Sequence, residues 1–485
     1  MKNLYRSGLV CLLAAGMAAG CSGGKKDQLT PVTPPPVAPP TGPVKSDVEA
    51  WVTTADKTSL LAKQNTALVF SDTVNVNTTI NVNGQQAFQS IDGFGYCLTG
   101  GSATLIHNLP AATQDALLQE LFATDSNHIG VSYLRISIGA SDLSATTFTY
   151  DDIAAGTEDN TLAQFSIDRE QTDLIPVLKK ILAIAPDIKI LGSPWSAPVW
   201  MKTNGSFKGG SLKPAYYTVY AQYFVKYIQA MKAEGINIDA ITPQNEPLNP
   251  DNNPSMTMQP AEQLDFVKNA LGPAFQAAGL STKIILYDHN ADRPDYPTTI
   301  LADANARAFV DGSAFHLYAG SISALSTVHD AYPDKNVYFT EQWVGGPGNF
   351  GGDLKWHVSN LIIGATRNWS RNVLEWNLAA DANYGPHTNG GCSTCQGALT
   401  ISGSVTRNVS YYIIGQAAKF VRPGSVRIYS DDKADFPNVA FKRPDGKHVL
   451  LVLNNGNGST KFNIKYNGKI VTPTLPAGAV GTYTW

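Results

Sequence analysis

Charge is scarce in this chain. Only 15% of its residues are Asp, Glu, Lys or Arg, and 36 basic against 39 acidic side chains leave a net charge of −3. No basic excess is available to neutralise a phosphate backbone, which excludes an electrostatic nucleic-acid binder. Few charges with 43% hydrophobic residues also exclude a disordered chain. No G-x-G-x-x-G precedes a helix and no G-x-x-x-x-G-K-[ST] occurs, which removes the main nucleotide-binding motifs. Beyond the leader, no run of about 18 uninterrupted apolar residues reads as a membrane-spanning helix. Cysteine is rare: of 5, Cys11 and Cys21 fall in the leader and Cys97 reads as a single buried thiol. The remaining pair forms a C-x-x-C, Cys392-Ser393-Thr394-Cys395, in a Gly-rich loop. Outside the cytoplasm that spacing reads as a small disulfide or as two free thiols. Zinc is disfavoured, because His387 is the only nearby third ligand and no fourth is evident.

What is present begins with a targeting segment. Lys2 and Arg6 precede an apolar stretch, Leu9 to Ala19, that is too short to span a bilayer. It ends in Ala18-Ala19-Gly20-Cys21, which resembles a bacterial lipoprotein signal. Residues 1–20 are therefore expected to be removed and Cys21 lipidated, leaving an exported protein on the periplasmic or cell-surface face of a membrane. It would be held there by its lipid anchor only. Residues 21–47, with Pro34-Pro35-Pro36 and Pro39-Pro40, form an extended tether.

Eight short β-like runs follow: Ile91–Tyr96, Tyr133–Ile138, Lys189–Pro194, Ala240–Gln244, Lys283–Asp288, Gly312–Leu317, Asn336–Thr340 and Val373–Leu378. Helical periodicity separates them over Ala111–Phe122, Thr172–Ile184, Tyr216–Ala233, Pro260–Ala278, Thr298–Phe309 and Leu354–Thr366. Alternating strands and helices predict a parallel sheet, and eight units predict a closed (β/α)₈ barrel over residues 86–405. After a last helix within Arg407–Val421, short strands with turns at Asp445-Gly446 and Asn467-Gly468 predict a β-sandwich over 406–485. The segment 48–85, strand-like over Thr66–Val82, is expected to complete it.

Polar side chains gather at the C-terminal ends of the eight runs, where such barrels place their chemistry. Two are glutamates: Glu246 in Thr242-Pro243-Gln244-Asn245-Glu246-Pro247, and Glu341 after Asn336–Thr340. Two carboxyl groups ~5–5.5 Å apart hydrolyse a glycosidic bond with retention. The aromatic residues, 20 Tyr and 8 Trp among them, are available to stack on sugar faces, although most such side chains fill cores.

The surrounding stretches resemble glycoside hydrolase family 30. They are Ile91-Asp92-Gly93-Phe94-Gly95, Leu134-Arg135 with Ser141-Asp142, and the run from Ser193-Pro194-Trp195 to Asn204. His316-Leu317-Tyr318, Glu375-Trp376-Asn377 and Phe420-Val421-Arg422-Pro423-Gly424 complete the set. The resemblance implies a (β/α)₈ barrel fused to a β-sandwich built from both chain ends. It implies Glu246 as general acid/base, with a pKa above that of a free glutamate, and Glu341 as nucleophile. It implies Asn245 on the sugar 2-hydroxyl, Arg135 and Tyr318 on the nucleophile, and Asp142, Trp195 and Trp376 around the sugar. His316 either orients its neighbours or is a satisfied core histidine. Tyr296 and Phe350 are candidate platforms on the leaving-group side. Two carboxylates and water suffice, so no metal or organic cofactor is expected. The expected substrate is a β-glucan, with an endo-β-1,6-glucanase ahead of a glucosylceramidase-like exo-β-glucosidase, a xylanase, and a carbohydrate-binding protein with a dead barrel.

Overall fold

The computed structural model describes residues 45–485. The expected signal, Cys21 and most of the tether lie outside the described residues. All eight expected barrel strands are present, here β1 (Gly93–Cys97), β2 (Tyr133–Ser137), β3 (Lys189–Ser193), β4 (Ala240–Ile241), β5 (Lys283–Ala291), β6 (Val310–Gly320), β7 (Asn336–Glu341) and β8 (Ser370–Asn377). Each pairs in parallel with its neighbour in sequence, and β8 pairs with β1 to close the barrel.

The barrel interior is built in layers by the two-residue period of a strand. Tyr133, Leu191, Ala240, Ile285, Ala314, Tyr338 and Leu374, one from each of β2 to β8, pack together as an apolar floor. The next inward position along each strand carries the residues of the site described below.

Helices Ala111–Phe122, Leu174–Ile184 and Tyr217–Ala233 cover the barrel near their expected bounds. Three expected helices are irregular. Leu354–Thr366 is the end of an α-helix, Phe350–His357, that continues in wide i→i+5 turns over Val358–Ala365. Pro260–Ala278 passes through wide i→i+5 turns at Val267–Leu271, just before Pro273, whose missing N–H cannot continue the i→i+4 ladder. Thr298–Phe309 is two helices, Asp295–Ala302 and Ala304–Arg307. Asp303 turns extended between them and its carboxylate caps Asn305 and Ala306.

Both chain ends build the second domain, a nine-stranded sheet of Glu49–Thr53, Ala62–Lys63, Thr79–Ser90 and six strands from Val426–Ser430 onward, with Thr460–Lys461 and Thr474–Leu475 pairing apart from it. Ala50 and Val52 at one end of the strand order share a core with Ile464 and Val471 at the other, so the sheet folds over as a sandwich. The expected strand over Thr66–Val82 is corrected: the regular strand runs Thr79–Ser90 and crosses the boundary placed at residue 85. Its ladder to Val426–Ser430 sets that length, a tertiary pairing that local pattern does not carry. Helix Val409–Ala418 is buried along its whole length between the two domains. Its Gln416 bonds Thr53 and Thr482 of the sandwich, while Tyr96 of β1 donates to its Ser410 carbonyl. Among the described residues no helix is long and apolar enough to cross a membrane.

Candidate active site

Two residues above the apolar floor, the same strands present Arg135 (β2), Ser193 (β3), His316 (β6), Thr340 (β7) and Trp376 (β8), with Thr242 just past β4. On β5 the step is three residues, to Asp288. The ladder to β6 shifts register there, and Tyr287 and Asp288 take positive φ of 72° and 68°. The bulge turns the Asp288 carboxylate into the barrel axis.

Arg135 and Asp288 form the hub. Arg135 has no solvent exposure and donates to Glu341 Oε2 at 2.6 Å, Asp288 Oδ2 at 2.8 Å and Asn245 Oδ1 at 2.6 Å. Its guanidinium lies 4.8 Å from the Trp195 ring centre. Asp288 also accepts from Ser193 and Thr242 on one oxygen and from Thr340 and His316 on the other. Burial pushes the Asp288 carboxyl up, but Arg135 and His316 outweigh it and hold the group well below the usual carboxylate range. Asp288 counts among the polar strand ends in the sequence, but no role is assigned to it there. Its signal was its position at the end of β5, where it looks like any strand-end aspartate.

Glu246 sits on the β4 loop with φ 44°, a left-handed backbone that is costly for glutamate. Its N–H donates to the Asp288 carbonyl and the preceding Asn245 N–H to Pro194, which fixes the turn. Glu341 comes from β7, where the ladder to β6 slips after Phe339. Tyr318, a residue 38% exposed, turns its hydroxyl inward to donate to Glu341 Oε1 at 2.9 Å. His316 bridges the acids, with Nδ1 3.3 Å from Glu246 Oε1 and Nε2 3.1 Å from Asp288 Oδ1. It is not a bland core histidine.

The titration of the pair differs from expectation. Burial raises Glu246, but the His316 imidazolium overcomes this, aided by His289 and by the Asn249 amide, and holds the carboxyl at about 2. The expectation of a raised Glu246 is therefore corrected for the resting site. Burial lowers His316, yet Glu341, Asp288 and Glu246 together lift it to about 9. Burial raises Glu341, and His316 and Arg135 offset only part of that. One atom each of Glu246, His316 and Glu341 lies within 4.8 Å of the others. Every nitrogen and oxygen of the three side chains already has a hydrogen-bond partner, so the trio is a proton-sharing cluster and not a free ligand set.

These groups open into a cavity of about 720 Å³ lined by Glu246, Glu341, Asp142, Trp195, Trp376 and Tyr318, with Trp343 and the loops 248–252 and 290–293 at its sides. The Trp195 and Trp376 rings are 5.4 Å apart, and the buried Trp195 Nε1–H has no protein acceptor. Asp142 is 4% exposed, and burial with the nearby Glu341 charge pushes it up to about 7. Cys392 and Cys395 form a disulfide in the cavity wall, which replaces the free-thiol and zinc readings. The two expected platforms are corrected. Tyr296 is fully buried, donates to the Met258 carbonyl and packs at a tilt against Tyr287, while Phe350 packs on Tyr412 beside a different groove.

A glycosyl hydrolase family 30 TIM-barrel model matches residues 91–421, and a family 30 beta-sandwich model matches 424–483. The chain belongs to glycoside hydrolase family 30. Among curated relatives, an endo-1,6-beta-D-glucanase of Neurospora crassa is 36% identical over 424 residues, covering 80% of this chain and 86% of that protein. The lysosomal acid glucosylceramidase of Mus musculus is 28% identical over 432 residues, covering 83% and 82%. Among solved structures, an endo-beta1,6-glucanase is 38% identical with a TM-score of 0.85, covering 91% of this chain and 99% of its own. This family 30 chain is a glycoside hydrolase.

Proposed function

We propose that this enzyme cleaves β-1,6-glucan internally, by a retaining double displacement between Glu341 and Glu246. The observation that carries the reaction type is the short gap: one oxygen of each carboxylate lies within 4.8 Å of the other at one cavity. Inverting pairs stand ~6.5–9.5 Å apart to admit a water. The linkage rests on likeness to endo-β-1,6-glucanases at 36% and 38% identity over most of the chain.

In this reading Glu341 attacks the anomeric carbon, oriented by Arg135 and Tyr318. Glu246 delivers a proton to the departing oxygen, drawn along the His316 Nδ1–H contact, which holds the proton at rest. Forming the glycosyl ester removes the Glu341 charge, a leading cause of His316's high affinity for its proton. His316 is thereby readied to release the proton as the leaving oxygen needs it. Water then gives its proton to Glu246, and through it to His316, while the regained Glu341 charge restores the imidazolium. Arg135 occupies the Asn245 oxygen, so the amide NH₂ remains to meet the sugar 2-hydroxyl. Asp142, Trp195 and Trp376 enclose the ring.

Parallel product profiling on β-1,6-glucan, glucosylceramide and xylan tests this. An early ladder of short β-1,6-oligosaccharides is expected. Glucose as the only early product, or preferred cleavage of glucosylceramide or xylan, overturns the endo-β-1,6 assignment. We further propose that Cys21 carries the lipid anchor, supported by Ala18-Ala19-Gly20-Cys21 and the proline-rich segment after it.

A further inference from the structure

One wall of the cavity is a loop that touches two strand ends. Residues 388–392 run along Asp142, which follows β2. Thr388 N–H donates to the Asp142 carbonyl at 2.8 Å, and Cys392 N–H donates to Asp142 Oδ2 at 3.2 Å. The approach is so close that a Cβ on Gly391 would stand 2.4 Å from the Asp142 carbonyl oxygen. At its far end the loop pairs with the segment just beyond Glu341. Cys395 is paired with Gly345 and Gln396 with Val344, and Gly346 N–H donates to Thr394 at 2.7 Å. Between these anchors lie Ser393 and Thr394, both exposed. The Cys392–Cys395 bond closes that turn, and its buried Cys395 packs in one cluster with Trp195, Trp376 and Leu143.

We infer that the Cys392–Cys395 disulfide is a positioning element of the sugar pocket, holding the Asp142 carboxylate through the Cys392 N–H. The inference rests on the reading of Asp142 as a sugar ligand. Without the bond, the loop is still held at Thr388 and at 394–396, but Cys392 between these anchors loses its covalent tie and keeps only its N–H contact to Asp142. A buried carboxylate that loses its fixed donor is both less charged and less well aimed. The enzyme is then sensitive to dithiols. Dithiothreitol closes to its cyclic disulfide as the protein bond opens to two thiols, with two electrons and two protons transferred.

The test compares Asp142→Asn, the pair Cys392→Ser/Cys395→Ser, and the triple variant, each read as kcat/KM on β-1,6-glucan. The serine pair is expected to lose ~10–100-fold, Asp142→Asn ~100-fold or more, and the triple no more than Asp142→Asn alone, because effects through one group do not multiply. Losses that multiply place the disulfide's effect outside Asp142 and overturn the inference, as does full activity of the serine pair. Full activity of Asp142→Asn is a different failure: it removes Asp142 from the sugar pocket and takes the reading with it. Should the serine pair not fold, native enzyme treated with dithiothreitol until two new thiols titrate gives the same readout. Lost turnover that returns on reoxidation supports the inference. Unchanged kcat/KM in the reduced enzyme contradicts it.

Discussion

His316 Nδ1 lies 3.3 Å from Glu246 Oε1, a direct contact between two buried side chains. Because the resting proton belongs to the imidazole, raised to about 9, activity is expected to fall as pH rises through about 9. The sign for stability is the same. A histidine raised above its ordinary 6.5 stabilises fully below that value and loses the contribution as pH passes 9. His316→Gln is expected to lower kcat ~10²–10³-fold and to move the alkaline limb of kcat/KM to lower pH. A pH–rate profile of the variant checks this; an unmoved alkaline limb would remove His316 from the proton path.

Asp288 accepts from Arg135, Ser193, Thr242, Thr340 and His316 without touching solvent. Asp288→Asn turns an acceptor-only group into one whose NH₂ meets donors, and leaves Arg135 short of a counter-charge. A loss of ~3–5 kcal/mol of stability is expected, typical of breaking a buried pair. Urea unfolding measures it. A change within about 0.5 kcal/mol, the range of an ordinary surface substitution, would deny the hub role.

Trp376 lies beside Trp195 in the cavity wall. Trp376→Ala is expected to cost ~1–3 kcal/mol in transition-state stabilisation, lowering kcat/KM ~5–150-fold. Trp376→Phe keeps a ring face but not the N–H, and should fall between. Equal kcat/KM for all three proteins would leave Trp376 a packing residue.

Much of this was legible in the sequence because a barrel strand buried on both faces is a short apolar run, and its C-terminal end is where polar residues appear. Glu246 and Glu341 could be placed on that ground. What was not legible depends on register. Three steps from Ile285 to Asp288, where other strands take two, follow from a bulge that only the β5–β6 ladder reveals. Val480–Thr484 escaped notice because a glycine and two threonines interrupt any apolar run there, yet it lies between Glu49–Thr53 and His448–Leu453. The sign of the Glu246 shift was misjudged for a similar reason: burial is inferable from sequence, but an imidazolium delivered by β6 is not.

Cys21→Ser is expected to move the protein from the membrane to the soluble fraction with kcat/KM unchanged, since every residue lining the cavity lies beyond residue 141. Fractionation of cells with and without the substitution decides it. Wild-type protein found wholly in the soluble fraction would remove the anchor.

The central claim is a covalent, retaining reaction between Glu341 and Glu246. Proton NMR of the first reducing ends released from β-1,6-glucan, recorded before mutarotation, tests it most directly. The account predicts the β-anomer, formed by two successive inversions. Initial release of the α-anomer would contradict it, because a single displacement by water would then have to pass between two carboxylates whose oxygens lie within 4.8 Å.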